Sequence, residues 1–394
     1  MKALFFAWRS LVRQPARATL GILGVAAVGA LLFDMLLLSS GLVLSMRDLL
    51  DRQDFDVRVT ATDALPGSGP VIEDAARAVA AIGALPSVRE AVAFRAADLS
   101  IDRPNGRRIR GSFQGVGPGR VRPWTILRGA NPSGRQEILL DEDGAQQLGA
   151  AVGSSITVRA SCSAERDALP PVTFRVSGVA AFPFDPPDSV TAATTAEGLA
   201  AACGEQQPPI ADMILVAAAG DPAAAAADIT TARPELRAFT NEQMIGRIEQ
   251  GGFTYFRQIS TVLTTVTVSF ALLLITVLLT VSVNQRLGEI AALRALGFTR
   301  TRVVADVLSE SVLIVGIGGA LSLPLGFALA EALDRILKRM PGIPEPLHFF
   351  VFEPQALAIH VTLLAVTAIA AALYPMRIVA TLPIAATLRN EVVS

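Results

Sequence analysis

Apolar residues are laid out along this 394-residue chain in two regimes. Four runs, residues 20–44, 259–283, 307–333 and 357–374, are almost continuously apolar. Each is close to the roughly 20 residues of helix that cross about 30 Å of hydrocarbon. The fourth is the shortest, and Val351 and Phe352 are placed to extend it. Between the first and second runs, residues 47–255 carry short alternating segments separated by Pro, Gly, Asp and Arg, the pattern of a water-exposed domain with its own core. Alternation predicts strands over residues 56–61, 91–101, 109–116, 137–140, 155–159, 172–179 and 213–217. Helical spacing over residues 72–85, 144–148 and 222–231 makes the insertion α+β, with a turn-rich exposed loop at 183–188.

The expected fold is an α-helical membrane protein with four transmembrane helices, one before and three after an inserted α+β extracytoplasmic domain. Residues 1–18 read as a cytoplasmic amphipathic helix, 19–46 as the first span and a stalk, 47–255 as the periplasmic domain and 256–284 as the second span. Residues 285–302 form a charged cytoplasmic segment, 303–333 the third span, 334–355 a short external loop, 356–376 the fourth span and 377–394 a cytoplasmic tail. Arginines set the orientation, because positive charge near a span end stays inside. Arg9, Arg13 and Arg17 precede the first span, Arg286, Arg294, Arg300 and Arg302 separate the second from the third, and Arg377 and Arg389 follow the fourth. All three groups lie inside when both termini are cytoplasmic; Arg335, Lys338 and Arg339 then lie outside, partly balanced by Asp334 and Glu345. The first run is too long for a signal peptide, and no small-residue cleavage site follows it.

Composition agrees with this class, with 52% apolar and 18% charged residues. It also limits the chemistry. The lysines are Lys2 and Lys338, and neither closes a GxxxxGK[ST] phosphate loop. The histidines, His348 and His360, form no HExxH pair, and two cysteines are too few for a zinc cluster. No catalytic residue, cofactor or metal is expected in this chain, no nucleic-acid partner either, and any ATP hydrolysis falls to another polypeptide. His360, at the outer end of the fourth span, reads as an interfacial or packing residue. Cys162 and Cys203 both lie in the insertion. A disulfide contributing roughly 3–4 kcal/mol and a pair of buried free thiols are both open, because sequence does not show whether the Cα atoms approach within about 7 Å.

Within the spans, Gly318, Ser322, Gly326 and Ala330 recur every four residues and let a neighbouring helix come close, either inside the subunit or at a seam between copies. Pro324 is expected to kink that helix. Asp34 sits about 21 Å along the first span from Leu20, at about 1.5 Å per residue. It faces either a vestibule between two copies or solvent at the base of a stalk. Glu310 is expected to pair with Arg302 or Arg294.

The most informative stretch is residues 285–302, QRLGEIAALRALGFTRTR, a charged helical segment where a short polar turn would suffice. Glu289, Leu293 and Leu296 fall at i, i+4 and i+7, so one face offers an acid and two apolar anchors, and Gly297 lets the chain turn afterwards. An amphipathic helix lying at the lipid interface is the alternative.

This segment, GEIAALRALGFT, together with AWRSLVRQPARATLGILGV near the start, EILLDEDGAQQLGAAVGSSITV in the insertion and SVLIVGIGGALSLPLG in the third span, resembles the MacB/LolC/FtsX class of ABC-transporter permeases. The tail, YPMRIVATLPIAATLR, departs from the class pattern in the spacing of Pro375, Pro383 and Arg389. The resemblance implies that residues 285–299 are a coupling helix received by a cleft on a cytoplasmic ABC ATPase dimer, with Glu289, Leu293, Arg294 and Gly297 central. It implies ATP and Mg on that separate ATPase, a second permease copy or paralogue, a LolC- or DevC-like branch without a fused ATPase, and an inner-membrane location. It further implies cargo that is a lipid, lipoprotein or amphipathic compound, with a periplasmic adaptor or membrane fusion protein as a further partner. An FtsX-like platform that moves no cargo and controls a cell-wall hydrolase is the alternative.

Overall fold

The structure, a computed structural model, describes residues 8–9, 11–13, 15–64, 69–102, 108–162, 170–185, 189–205, 210–251, 254–285, 287–297, 299–338, 340 and 347–381. The chain divides into two compact units. One comprises Met1–Leu42, Tyr255–Arg335 and Phe349–Ser394; the other comprises Val43–Thr254 and Ile336–His348.

The first unit is helical. Helix α1 (Pro15–Asp51) begins in it, and four of the remaining helices belong to it: α7 (Thr254–Asn284), α8 (Leu287–Ala295), α9 (Arg300–Leu337) and α10 (Pro354–Thr381). Helices α1, α7, α9 and α10 each hold a stretch long and apolar enough to cross a membrane. On α7, Ile259, Val266, Phe270 and Leu273 are more than half exposed. Water would not tolerate so continuous an apolar face; hydrocarbon does.

Close approach through small residues builds the core of this bundle. A Cβ placed on Gly318 would lie 2.7 Å from that of Val25, and one on Gly29 would lie 2.7 Å from that of Ser322. Gly326 meets Phe33 and the Ala30 carbonyl, and Ala330 shares a buried cluster with Phe33, Leu37 and Ala356. The stripe read from the sequence therefore packs on α1 of the same chain. Two details differ from the sequence reading: α10 starts at Pro354 without Val351 and Phe352, and it runs past Tyr374 to Thr381. Pro324 lies inside α9. The non-helical backbone at residues 349–351 instead lies against Gly41, where a Cβ would collide with the Phe349 carbonyl.

The second unit carries a ten-stranded sheet: β1 (Val57–Thr60), β2 (Val88–Asp102), β3 (Arg108–Val116), β4 (Thr125–Gly129), β5 (Glu137–Leu140), β6 (Ser155–Ser161), β7 (Val172–Ala181), β8 (Val190–Thr195), β9 (Met213–Ala218) and β10 (Arg237–Thr240). The strand order is β10-β1-β9-β2-β3-β8-β5-β7-β4, with β6 pairing β2 and β7. Pairs β3–β8 and β5–β7 are parallel and the others antiparallel. Helices α2 (Ala75–Gly83) and α5 (Pro222–Ala232) cover one part of the sheet, burying Ala78, Ile82, Ala225 and Ile229 against Val57, Val59, Ile214 and Val216. Helices α3 (Glu142–Leu148) and α4 (Ala196–Ala202) belong to a second core around Phe113, Phe174, Ile138 and Leu199. Helix α6 (Asn241–Gly251) closes the domain sequence.

Local signals explain these elements. Asp141, Thr195 and Asp221 accept N-cap bonds from Gly144, Gly198 and Ala223, supplying acceptors for otherwise orphan helix donors. Gly149 ends α3 in the left-handed region, at φ 62°. Strands β4, β8 and β10 and helices α4 and α6 were not expected from the sequence. Residues 186–188 of the expected loop at 183–188 lie outside the described residues.

Candidate coupling site

Helix α8 is short and sits between a turn at Gln285 and Gly297, which adopts φ +94°, a backbone conformation that favours glycine. Ile290 is buried with Val283, packed by Leu287, Val304 and Ile378. Ala291 is fully buried. At about 100° per residue, positions 289, 293 and 296 fall on the face opposite 287, 290 and 291. Position 294 falls on the bundle side, apart from the other predicted docking positions. The side chains of Glu289, Leu293 and Arg294 lie outside the described residues. Leu296, at 78% exposed, is the most exposed large apolar side chain among those described. Helix α8 thus holds to its own bundle through Ile290 and Ala291, while Ala292, Ala295 and the following Leu296 are exposed.

Two family models cover the chain. Residues 18–232 match the MacB-like periplasmic core domain, and residues 261–384 match the FtsX-like permease C-terminal domain. The first covers more than half of the chain. This chain belongs to the MacB/FtsX class of ABC-transporter permeases. Among solved structures it is similar to the periplasmic region of MacB from Actinobacillus actinomycetemcomitans, at 11% identity and TM-score 0.36, covering 51% of this chain and 98% of that one. It is also similar to the extracellular domain of the noncanonic ABC-type transporter YknZ from Gram-positive bacteria, at 12% identity and TM-score 0.33, covering 47% of this chain and 98% of that one. No curated protein sequence matches it.

Among the described residues of the bundle of this MacB/FtsX-class chain, several polar side chains are buried. His360 is 1% exposed; its Nε2 lies 3.0 Å from Ser322 Oγ, and its ring centroid is 5.2 Å from that of Phe33. It is an interior packing residue and not an interfacial one. Asp34 is 1% exposed, and neither carboxylate oxygen has a hydrogen-bond partner. The sequence reading placed it at a vestibule or in solvent; within this chain it is buried. Glu310 is also buried, at 7% exposed. Among the described residues no three His, Cys, Asp or Glu side chains are arranged to hold a metal.

In the MacB-like domain, Cys162 at the end of β6 and Cys203 after α4 form a disulfide with Cα atoms 5.7 Å apart. Close by in sequence, Glu205 takes both its oxygens to Arg95 Nη1 at 2.7 Å, a pair only 18% and 10% exposed. Asp141 is buried and accepts from Gly144 N and Thr191 N, while the Asp185 carboxyl accepts from Thr191 Oγ1 at 2.6 Å. Burial raises both carboxyls, Asp185 to about 7.

A second polar node lies at the end of α1. The Arg58 guanidinium, on β1, is buried and donates to Asn241 Oδ1 and to Gln53 Oε1, the latter at 2.9 Å. Burial lowers it to about 10, against the opposing influence of Asp51 and Asp56. Asn241 Nδ2 faces Phe55 O at 3.1 Å, Asp51 Oδ1 at 3.2 Å and Leu50 O at 3.4 Å. A groove of about 370 Å³ beside it is lined by Arg47, Asp51, Asp56, Asp221, Thr240 and Glu242, among others. Sequence reasoning missed this node. Its visible local signal is the Thr240–Gln243 capping box, with reciprocal bonds of 3.1 and 3.2 Å.

Proposed function

We propose that this chain is the permease subunit of an ABC system in the bacterial inner membrane, with both termini cytoplasmic. A separate cytoplasmic ATPase dimer, carrying the ATP and Mg, moves residues 285–302, and the motion is passed to the external domain. Two permease copies, identical or paralogous, seat the two ATPases. The cargo is a lipid, lipoprotein or amphipathic compound drawn from the outer leaflet or periplasm and handed to an adaptor.

The observation that carries this reading is α8: one face is held by the bundle, while the opposite register of 289, 293 and 296 ends in an exposed leucine. A solvated turn gains nothing from an exposed leucine; a docking helix gains an anchor. The match of residues 18–232 to a MacB-like periplasmic core supports cargo handling over a purely signalling platform.

The test is co-expression with the ATPase encoded beside it. Replacing Glu289 and Leu293 together by alanine should abolish ATPase co-purification while the chain remains membrane-inserted. Retained co-purification would refute the docking assignment. A purified complex that activates a cell-wall hydrolase without extracting lipid would favour the signalling role.

A further inference from the structure

The last part of α1, from Val43, and the whole of α6 belong to the sheet-bearing unit, and one side chain, Asn241, joins the end of the first to the start of the second. Arg58 carries only donors, so the amide atom facing it must be Oδ1. Nδ2 is thereby aimed at three acceptors: the Leu50 carbonyl and Asp51 carboxylate at the end of α1, and the Phe55 carbonyl at the entry to β1. The Asn241 backbone N–H donates to Asp56 O at 3.0 Å, and Asp56 in turn binds β9 through Val216 O and Ala218 N, each at 2.9 Å. Asn241 is itself the first residue of α6, which leads after two residues into α7. On the α1 side, Ser45 also accepts from His348 N at 2.8 Å, so the same helix end holds the chain that follows α9.

We propose that Asn241 is a positioning residue that fastens the end of α1 and the start of α6 to each other and to β1, so that a displacement of either helix reaches the sheet as one movement. Buried polar groups whose partners are removed are costly, which makes such a joint stiff. A set of apolar contacts would tolerate sliding; a buried amide satisfied on both sides does not. This inference rests on the reading that the permease passes motion outward.

Asn241→Asp separates the two halves of the joint. It keeps an acceptor for Arg58 but sets a second oxygen against Leu50 O, Asp51 and Phe55 O, so it should push off the end of α1 and loosen the α6 start that was tied to it. Asp51→Ala is the milder variant, removing one acceptor from a more exposed position. The full chain, reconstituted in lipid nanodiscs with its ATPase, is followed by hydrogen exchange. Without nucleotide, Asn241→Asp should speed exchange about tenfold or more over both residues 47–56 and 241–247, and Asp51→Ala should do so less, with the rest of the sheet unchanged. Acceleration confined to residues 241–247 would overturn the joint. With ATP, the wild type should change exchange over β1 and β10, and Asn241→Asp should lose that change while ATP hydrolysis stays within about twofold. A persisting ATP response in the variant overturns the coupling role. A wild type with no ATP response sinks the functional reading itself and the coupling role with it, while the nucleotide-free arm still decides whether the joint exists.

Discussion

Reduction of the Cys162–Cys203 bond should destabilise the MacB-like domain by an amount set mainly by the loop it closes. The cysteines are 41 residues apart. On the chain-entropy relation, a loop of that length restricts the unfolded chain by about 13 cal/mol/K, or about 4 kcal/mol at 25 °C. Chemical reduction leaves both sulfur atoms in place, so the buried packing of Cys203 against Leu199 and Ala202 is largely kept. Alanine replacement of both residues adds a small cavity to the loss. For excised residues 43–254, an unfolding entropy of about 2.1 cal/mol/K per residue converts 4 kcal/mol to a fall in Tm of about 9 °C. The assay is thermal unfolding by circular dichroism with and without reductant, beside thiol titration of the unreduced protein. A Tm change under 2 °C in protein shown to lack free thiols would refute the entropic reasoning. Two titratable thiols in protein secreted to an oxidising compartment would refute the pairing.

Three further outcomes follow from the structure. Burial and the neighbouring Asp141 and Asp143 raise the Asp185 carboxyl to about 7, so the folded state holds that proton more tightly than the unfolded chain. Stability should therefore rise as pH falls from about 7 toward about 4, on the order of 1 kcal/mol after allowing for partial exposure; Asp185→Asn should flatten that slope in urea unfolding at pH 5.5 and 7.5. Arg95→Ala should cost roughly 3 kcal/mol by stranding Glu205, whereas Arg95→Met with Glu205→Leu should recover most of it in a double-mutant cycle. Gly29→Val, forced against Ser322 Cβ at 2.7 Å, should abolish a monodisperse detergent-solubilised peak, while Gly246→Ala, with open space around it in α6, should leave the peak intact and add about 0.5–1 kcal/mol to stability.

Most of the framework was legible because period and length are local properties. The four apolar runs, and strands such as residues 137–140 and 172–179, announce themselves in windows of a few residues. Strand β8, VTAATT, did not, because small and hydroxyl-bearing residues carry little alternation. It is nevertheless buried at five of its six positions, paired parallel to β3 and antiparallel to β5. Its identity as a strand is imposed by tertiary context. Strands β4 and β10 escaped for another reason: TILRG and RAFT are about as short as the EILL of β5 but carry fewer apolar residues and an arginine each.

The candidate sites divide along the same line. The proposed docking positions on α8 came from a local code, i, i+4 and i+7, to which the structure adds only that Ile290 and Ala291 are buried. The polar joint was unreadable in principle. Asn241 meets Phe55 and Leu50 across 186 and 191 residues of chain. Before folding, Asn241 is one polar residue in a helix start and Arg58 one cation in a strand. A buried arginine without a carboxylate in direct contact is costly, and it persists here because neutral amides from Gln53 and Asn241 accept its protons while Asp51 and Asp56 supply charge from slightly farther away. That arrangement spreads one cation over the end of α1, the start of β1 and the start of α6, so a shift of any of the three breaks hydrogen bonds to the others.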